Sequence, residues 1–386
     1  MSNKICLNMI VKDEAKNIER LLNSVKTSIS YYVICDTGSS DGTPELIEKI
    51  TKKLNIPGEI HHSKWINFGE NRTIALNKAK ESLDAGKHDC DWVLIIDADE
   101  KLEVTDPFWY KKLEQKRSYM LDKKDRGFVY AVNHLLNIKH EEHIWKGPAH
   151  NYVKKIKGQV SKGVAGGVYI LRDSSFKGGK SGKFKTPEEK YLHDAELFEK
   201  ELVKNPKDSR SRFYLAQSYR DAKCDNLAIH HYLMRAEMEN SWIQERYVSY
   251  LEAAKLLEKS DVERSLFFYL EAYNCLPSRA EAPTKFGYLA NKTGRSLIGY
   301  SITSSALKTM QTNEYDLFRQ TFAHEWGLLD AFQQNAASLG LLKEARLIIN
   351  KILQKHFSGI IKLDKEKLEN LLKSRKKYTK EDGIRG

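Results

Sequence analysis

The run Trp92-Val93-Leu94-Ile95-Ile96-Asp97-Ala98-Asp99-Glu100 decides how this chain is read. An apolar strand of the buried type ends in two carboxylates separated by one small residue. At the carboxyl end of a strand in an α/β sheet, such a pair faces the crevice where ligands bind. Paired oxygens suit a hard divalent cation that keeps phosphate oxygens as its other ligands. By itself the tripeptide also fits a solvated turn, because acids commonly end strands. Its flanks carry the decision.

Upstream, strand and helix signals alternate. An apolar run spans Ile5 to Val11, a helix-like stretch Glu14 to Lys26, and a second strand Tyr31 to Cys35. Ser39, Ser40 and Asp41 are capping candidates for the next helix, with Pro44 near its first turn and Leu46, Ile47 and Ile50 on one face. Glu59 to His62 reads as a short strand, and Ile74, Ala75, Ala79 and Leu83 recur at helical spacing within Asn71 to Ala85. This alternation predicts an α/β domain with a mostly parallel sheet and helices on its faces.

Downstream, short β-like pieces at Phe128 to Val132, Tyr152 to Ile156 and Val168 to Leu171 predict the end of the sheet and a small antiparallel extension. Ser174 to Pro187, rich in glycine and lysine, reads as a loop and a domain boundary. From Glu188 onward strand signals cease. Phe213 to Tyr219 with Leu227 to Tyr232, Tyr250 to Ala254 with Leu266 to Ala272, Ala282 to Leu307, and Leu328 to Leu353 around Gly340 form units of similar character. Their spacing in the thirties is the pattern of tetratricopeptide-like helical hairpins. The expected organisation is therefore a domain over residues 1–180, a helical-repeat domain over 181–360, and a basic C-terminal helix or tail over 361–386.

The 386 residues carry a formal net charge of +12 with 30% charged residues, which favours anionic partners. No helix-turn-helix, zinc-finger or aromatic-basic RNA-binding signature is present, so specific nucleic-acid recognition is not expected. Five widely spaced cysteines without a C-x-x-C pair indicate neither a disulfide framework nor a thiolate zinc site. No integral membrane segment and no leader peptide is read, so the expected setting is cytoplasmic or peripheral at a membrane surface. The first strand is not followed by G-x-G-x-x-G, which argues against a dinucleotide dehydrogenase.

Three strand ends follow one another in the first domain: Val11-Lys12-Asp13-Glu14, Asp36-Thr37-Gly38-Ser39-Ser40-Asp41-Gly42-Thr43, and Asp97-Ala98-Asp99. In a parallel sheet these ends share one edge, so their loops converge on one crevice. Asn71 and Arg72 open the intervening helix, where a guanidinium suits a diphosphate and an amide suits a loop anchor.

Residues 5–100 resemble the nucleotide-binding half of family 2 glycosyltransferases of GT-A fold. The resemblance is carried by Met9 to Glu14, Asp36 to Thr43, Phe68-Gly69-Glu70-Asn71-Arg72 and Asp97 to Glu100. It continues through Trp145 to His150, Gly178 to Ser181, Lys190 to Asp194 and Phe213 to Asp221, similar to a subgroup fused to tetratricopeptide-like helices. The resemblance implies a nucleotide-sugar donor, of UDP type, an acceptor that is a glycan, a lipid-linked glycan or a protein, and inversion at the transferred sugar. It implies that Asp36 holds the nucleoside, Asp97 lies near the ribose and Asp99 ligates Mn²⁺ or Mg²⁺. Val11, Glu14, Asn71, Arg72, Ala98 and Lys180 complete the expected donor site, and His150 is read as a catalytic-site residue and further metal ligand. Where the subgroup commonly has an acid after this histidine, the chain has Asn151, so the base is unassigned among Glu141, Glu142, His143 and His150. Asn151 also motivates an alternative, a helical-repeat scaffold with a catalytically impaired nucleotide-binding domain. Homodimerisation through the helical domain is a further expectation.

Overall fold

A computed structural model describes residues 3–125, 128–158, 163–172, 184–239, 242–311 and 316–383. The chain forms two compact units, Met1–Glu201 and Leu202–Gly386.

In the first unit, β1 (Ile5–Val11), β2 (Tyr31–Asp36), β3 (Gly58–His62) and β4 (Trp92–Ile95) alternate with α1 (Ile18–Val25), α2 (Thr43–Lys53) and α3 (Phe68–Asp84). β5 (Glu100–Val104), β6 (Tyr119–Asp125), β7 (Phe128–Asn137) and β10 (Val164–Arg172) extend the sheet. β8 (Glu142–Lys146) and β9 (Tyr152–Lys157) pair separately, and α4 (Pro187–Lys204) follows. The eight-stranded sheet has the order β3-β2-β1-β4-β7-β6-β10-β5. The three pairings from β3 to β4 are parallel, as is β6 with β10, whereas β4 with β7, β7 with β6, and β10 with β5 are antiparallel.

Alternation along β1 sorts its side chains to two faces. Ile5, Leu7, Met9 and Val11 join Ile18, Leu21, Leu22 and Val25 of α1 in one core, while Cys6 joins Val33, Val93, Leu76, Ala79 and Trp145 in the other. Asn8, buried among them, donates to the carbonyls of Val33 (3.1 Å) and Ala75 (2.8 Å), pinning α3 to the sheet. Asn67 caps α3 by accepting from the Glu70 amide at 2.9 Å, and its own amide donates to Glu70 Oε1 at 2.8 Å.

Two differences from the sequence reading have local causes. The helix expected from Glu14 begins at Ile18, because the preceding turn is tied to the second loop: the Glu14 amide donates to Thr43 Oγ1 at 2.8 Å and the Ala15 amide to Asp41 Oδ2 at 2.9 Å. β5, β6 and β8 were not anticipated. Each is rich in lysine or acids, as in Tyr119-Met120-Leu121-Asp122-Lys123-Lys124-Asp125, which masks its period-2 burial.

The second unit contains α5 (Ser209–Asp221), α6 (Asp225–Glu237), α7 (Ile243–Leu257), α8 (Val262–Cys275), α9 (Glu281–Lys292), α10 (Ser296–Thr309), α11 (Leu328–Ser338), α12 (Leu342–Phe357) and α13 (Lys365–Gly383). Each packs on the next, and α5 also meets α7 as α9 meets α11, the pattern of stacked hairpins. Alanines at the crossings, among them Ala216, Ala228, Ala253, Ala254, Ala272 and Ala290, are fully buried and let the helices approach closely. The basic segment after residue 361 is not a detached tail, since Leu368, Leu371 and Leu372 of α13 pack with Ile349, Ile352 and Leu353 of α12. Among the described residues no helix is long and apolar enough to cross a membrane.

The units divide after Glu201, whereas the composition change lies near residue 180. Up to Glu201, α4 belongs to the first unit, where Phe198 is buried and stacks with His150 at 6.3 Å between ring centroids.

Candidate active site

The ends of β1, β2 and β4 bring three loops to one edge of the sheet. Asp36 closes β2, buried, and folds its own loop: its carboxylate accepts from the amides of Gly38 (3.0 Å) and Ser39 (3.1 Å) and meets His62 Nδ1 at 3.4 Å. The same loop is cross-linked to the first, since Asp13, at φ +53, accepts from the Ser40 amide at 2.7 Å. The carbonyl of Val11 is engaged by Thr37, through its amide at 2.9 Å and its hydroxyl at 3.1 Å, and Glu14 accepts from Asn17 at 2.8 Å.

At the end of β4, Asp97, Asp99 and Glu100 each present an oxygen within 4.8 Å of the others, the one metal-capable group among the described residues. Ala98 is buried between the acids, and its carbonyl accepts from Arg20 at 3.3 Å. Burial works against the charge on Asp97, but Arg72, Lys123 and the hydrogen bond from Arg72 overcome it and hold the carboxyl down at about 2. Arg72 donates to Asp97 Oδ1 at 2.5 Å and lies over the Trp145 ring, 4.8 Å from its centroid. Asp99 and Glu100 are shifted the other way, upward, by burial and by the neighbouring Asp97 charge. Lys123 pairs with Glu100 beneath the cluster, and Arg172 stands 3.5 Å from Asp99. Three carboxylates this close repel one another, and a divalent cation would relieve that repulsion, so the donor set fits Mn²⁺ or Mg²⁺.

Asn71 is buried and ties down the segment leading into α3. It accepts from the Ile66 amide at 2.8 Å and donates to the Lys64 carbonyl at 2.9 Å. The turn that follows Trp145 lies against the start of α3: the Phe68 amide donates to Pro148 at 3.3 Å, and a Cβ at Gly69 would stand 2.6 Å from the Gly147 carbonyl oxygen. This turn carries His150 at φ +46, exposed and stacked on Phe198, outside the carboxylate group.

Glu141 and His143 occupy a different cluster. Glu141 accepts from Ser118 and from Lys155 at 2.6 Å, with His143 Nε2 at 3.3 Å, beside a cavity of about 280 Å³ lined by Leu76, Lys80 and Ile138. Burial pushes the His143 imidazole down to about 4, so it is neutral near pH 7. Glu142 is exposed on the hairpin. Lys180 lies outside the described residues.

Sequence reading missed Lys123, His134 and Arg172. All three come from strands β6, β7 and β10, with no local motif to mark them. His134 lies on β7 between Asn133 and Leu135. Its imidazole is pushed down to about 3 by burial and by the charges of Arg72 and Lys123, and its ring meets Trp145 edge-on at 5.9 Å.

Residues 6–137 match the family described as glycosyl transferase family 2, and the three strand-end loops lie within that span. The first unit carries a family 2 glycosyltransferase domain. An uncharacterized glycosyltransferase of Rickettsia conorii is 28% identical over 144 residues, 37% of this chain and 43% of that protein. A tetratricopeptide repeat-containing protein of Synechococcus elongatus is 34% identical over 99 residues, 26% of this chain and 21% of its own length. The chain thus spans less than half the length of these relatives. Among solved structures, MamA aligns over 47% of this chain and 94% of its own at 15% identity and a TM-score of 0.36. A thermophilic tetratricopeptide protein from Thermus thermophilus aligns over 50% and 90% at 19% identity and a TM-score of 0.30.

Proposed function

We propose that the chain is a metal-dependent glycosyltransferase that moves a sugar from a nucleotide-sugar donor, of UDP type, to an acceptor with inversion. One observation carries the reading: Asp97, Asp99 and Glu100 converge at the end of β4, on the same edge of the parallel sheet as the Asp36 loop, within a family 2 glycosyltransferase domain.

In this reading the nucleoside lies against Asp36 and the loop from Gly38 to Thr43. Asp97, oriented by Arg72, faces the ribose. Asp99 holds the cation, with Glu100 supporting it from beneath. When bound, Mn²⁺ or Mg²⁺ supplies Lewis-acid stabilisation to the leaving diphosphate. Inversion also needs a group that takes the acceptor's proton during in-line attack. Glu141 is committed to Lys155 and Ser118, whereas His150 is exposed on the turn beside the helix that carries Arg72. We therefore assign His150 to the acceptor side of the site rather than to the cation. The acceptor, be it glycan, lipid-linked glycan or protein, engages the helical unit, whose α6 and α8 border a groove of about 630 Å³ lined by Ile229, Leu233, Met234 and Arg264.

The test is donor turnover. Incubation of the full chain with Mn²⁺ and a panel of nucleotide sugars should release nucleoside diphosphate, and Asp99→Asn should cut that release by about 10²-fold or more. Absence of both binding and turnover across the panel would overturn the enzyme reading, and binding without turnover would favour a helical-repeat scaffold with a catalytically impaired nucleotide-binding domain.

A further inference from the structure

Among the described residues, Arg72, Lys123 and Arg172 each pair with a carboxylate at this cluster, and they are held differently. Arg72 is nearly buried, bonded to Asp97 at 2.5 Å and stacked on Trp145. Lys123 is buried against Glu100. Arg172, at the end of β10, is 46% exposed and contacts Asp99 through one nitrogen at 3.5 Å, with its other nitrogen 4.0 Å from Asp125. An ion pair that long and that exposed contributes little, so its rupture costs little.

The place of Asp99 gives this loose pairing a use. Asp99 is the carboxylate that both the Arg172 guanidinium and a divalent ion would use. A divalent cation on Asp99 would place two positive charges beside Arg172 and repel it. The guanidinium then loses its anchor at Asp99 while remaining at the mouth of the site. A diphosphate brought there by the cation offers it a planar, charge-assisted partner.

We propose that Arg172 is the second diphosphate-binding cation of the site, held at Asp99 in the free chain and passed to the donor's diphosphate when the divalent ion takes the carboxylate. The inference rests on the donor-site reading above. It assigns Arg172 a positioning role in which guanidinium and metal compete for one carboxylate.

That competition predicts opposite effects on two affinities. In the full chain, Arg172→Gln should bind Mn²⁺ alone about threefold more tightly than wild type by titration calorimetry, because the competing cation is gone. With Mn²⁺ saturating, the same variant should bind UDP about tenfold more weakly, and Arg172→Lys should recover part of that loss. Circular dichroism and the unfolding midpoint of both variants should match wild type. Two affinities that weaken together, or that both stay unchanged, would overturn the role of Arg172. A wild-type chain that binds Mn²⁺ but neither UDP nor another nucleoside diphosphate would overturn the donor reading itself.

Discussion

Asp97 and Asp99 are two residues apart and have opposite electrostatic surroundings, which suits them to the two different roles proposed. Asp97 is locked by Arg72, whereas Asp99, with burial and a like charge raising it, has among the described residues one loose ion pair, with Arg172. Asp99→Asn removes the ligand most dependent on a counter-ion, so turnover with Mn²⁺ should fall by about 10²-fold or more with an unchanged fold, read by product release. Away from the site, Glu59 tests the electrostatics independently. Burial raises its carboxyl, but hydrogen bonds from Ser82 at 2.7 Å, from Lys87 and from Tyr31 at 3.0 Å overcome that and hold it at about 2 against an ordinary 4.5. A depressed folded value stabilises above the unfolded value and is lost as pH falls, here from about 4.5 toward 2. Urea midpoints should therefore drop between pH 6 and pH 3 by an amount worth about 2 kcal/mol more in wild type than in Glu59→Gln. Equal drops would show that Glu59 is not held down.

At the scale of elements, what the sequence made legible was whatever is local. The strand at Trp92, the helix after Pro44 and the hairpin turn at Gly340 are each encoded within a dozen residues, by periodicity, caps and turn chemistry. The convergence of the Val11, Asp36 and Ile95 strand ends follows from alternation alone, because parallel strands share an edge. What was not legible is non-local. Arg172 reaches Asp99 only because β10 pairs antiparallel with β5, setting Arg172 opposite Glu100, a pairing across 72 residues with no turn to announce it. His134 reaches the site in the same way, through β7 beside β4. Close approach of elements was equally hidden until seen. Gly299 of α10 faces Asn335 of α11, whose amide donates to the carbonyls of Gly287 at 2.9 Å and Ala331 at 2.8 Å. A Cβ at Gly299 would stand 2.2 Å from Asn335 Oδ1. Gly299→Ala should therefore destabilise the helical unit by about 1–3 kcal/mol in chemical denaturation, and no change would mean that Asn335 yields without losing its bonds. In the first unit, Gly69→Ala would push the Gly147 turn off α3, and donor turnover should fall more than thermal stability.

For the whole molecule, the carboxylate cluster and the helical stacking fall in different units, and each has its own buried polar group. In the second, Arg279 and Glu281 are both fully buried and paired at 2.8 Å; Glu281 also accepts from the Gln320 amide at 3.0 Å and from the Tyr247 hydroxyl at 3.2 Å. Breaking such a pair leaves a buried charge uncompensated, so Glu281→Ala should cost about 3–5 kcal/mol. Hydrogen exchange should accelerate across α7 and α9 and leave β1, β2 and β4 unchanged. In the first unit, Asp99 is proposed to hold a divalent cation against a nucleoside diphosphate. Anomalous diffraction at the manganese edge, from crystals of the full chain grown with Mn²⁺ and UDP, tests it most directly. One strong peak is expected, ligated by Asp99 and by diphosphate oxygens, with the uracil against Asp36. A peak elsewhere, or UDP bound with no manganese at Asp99, would contradict it.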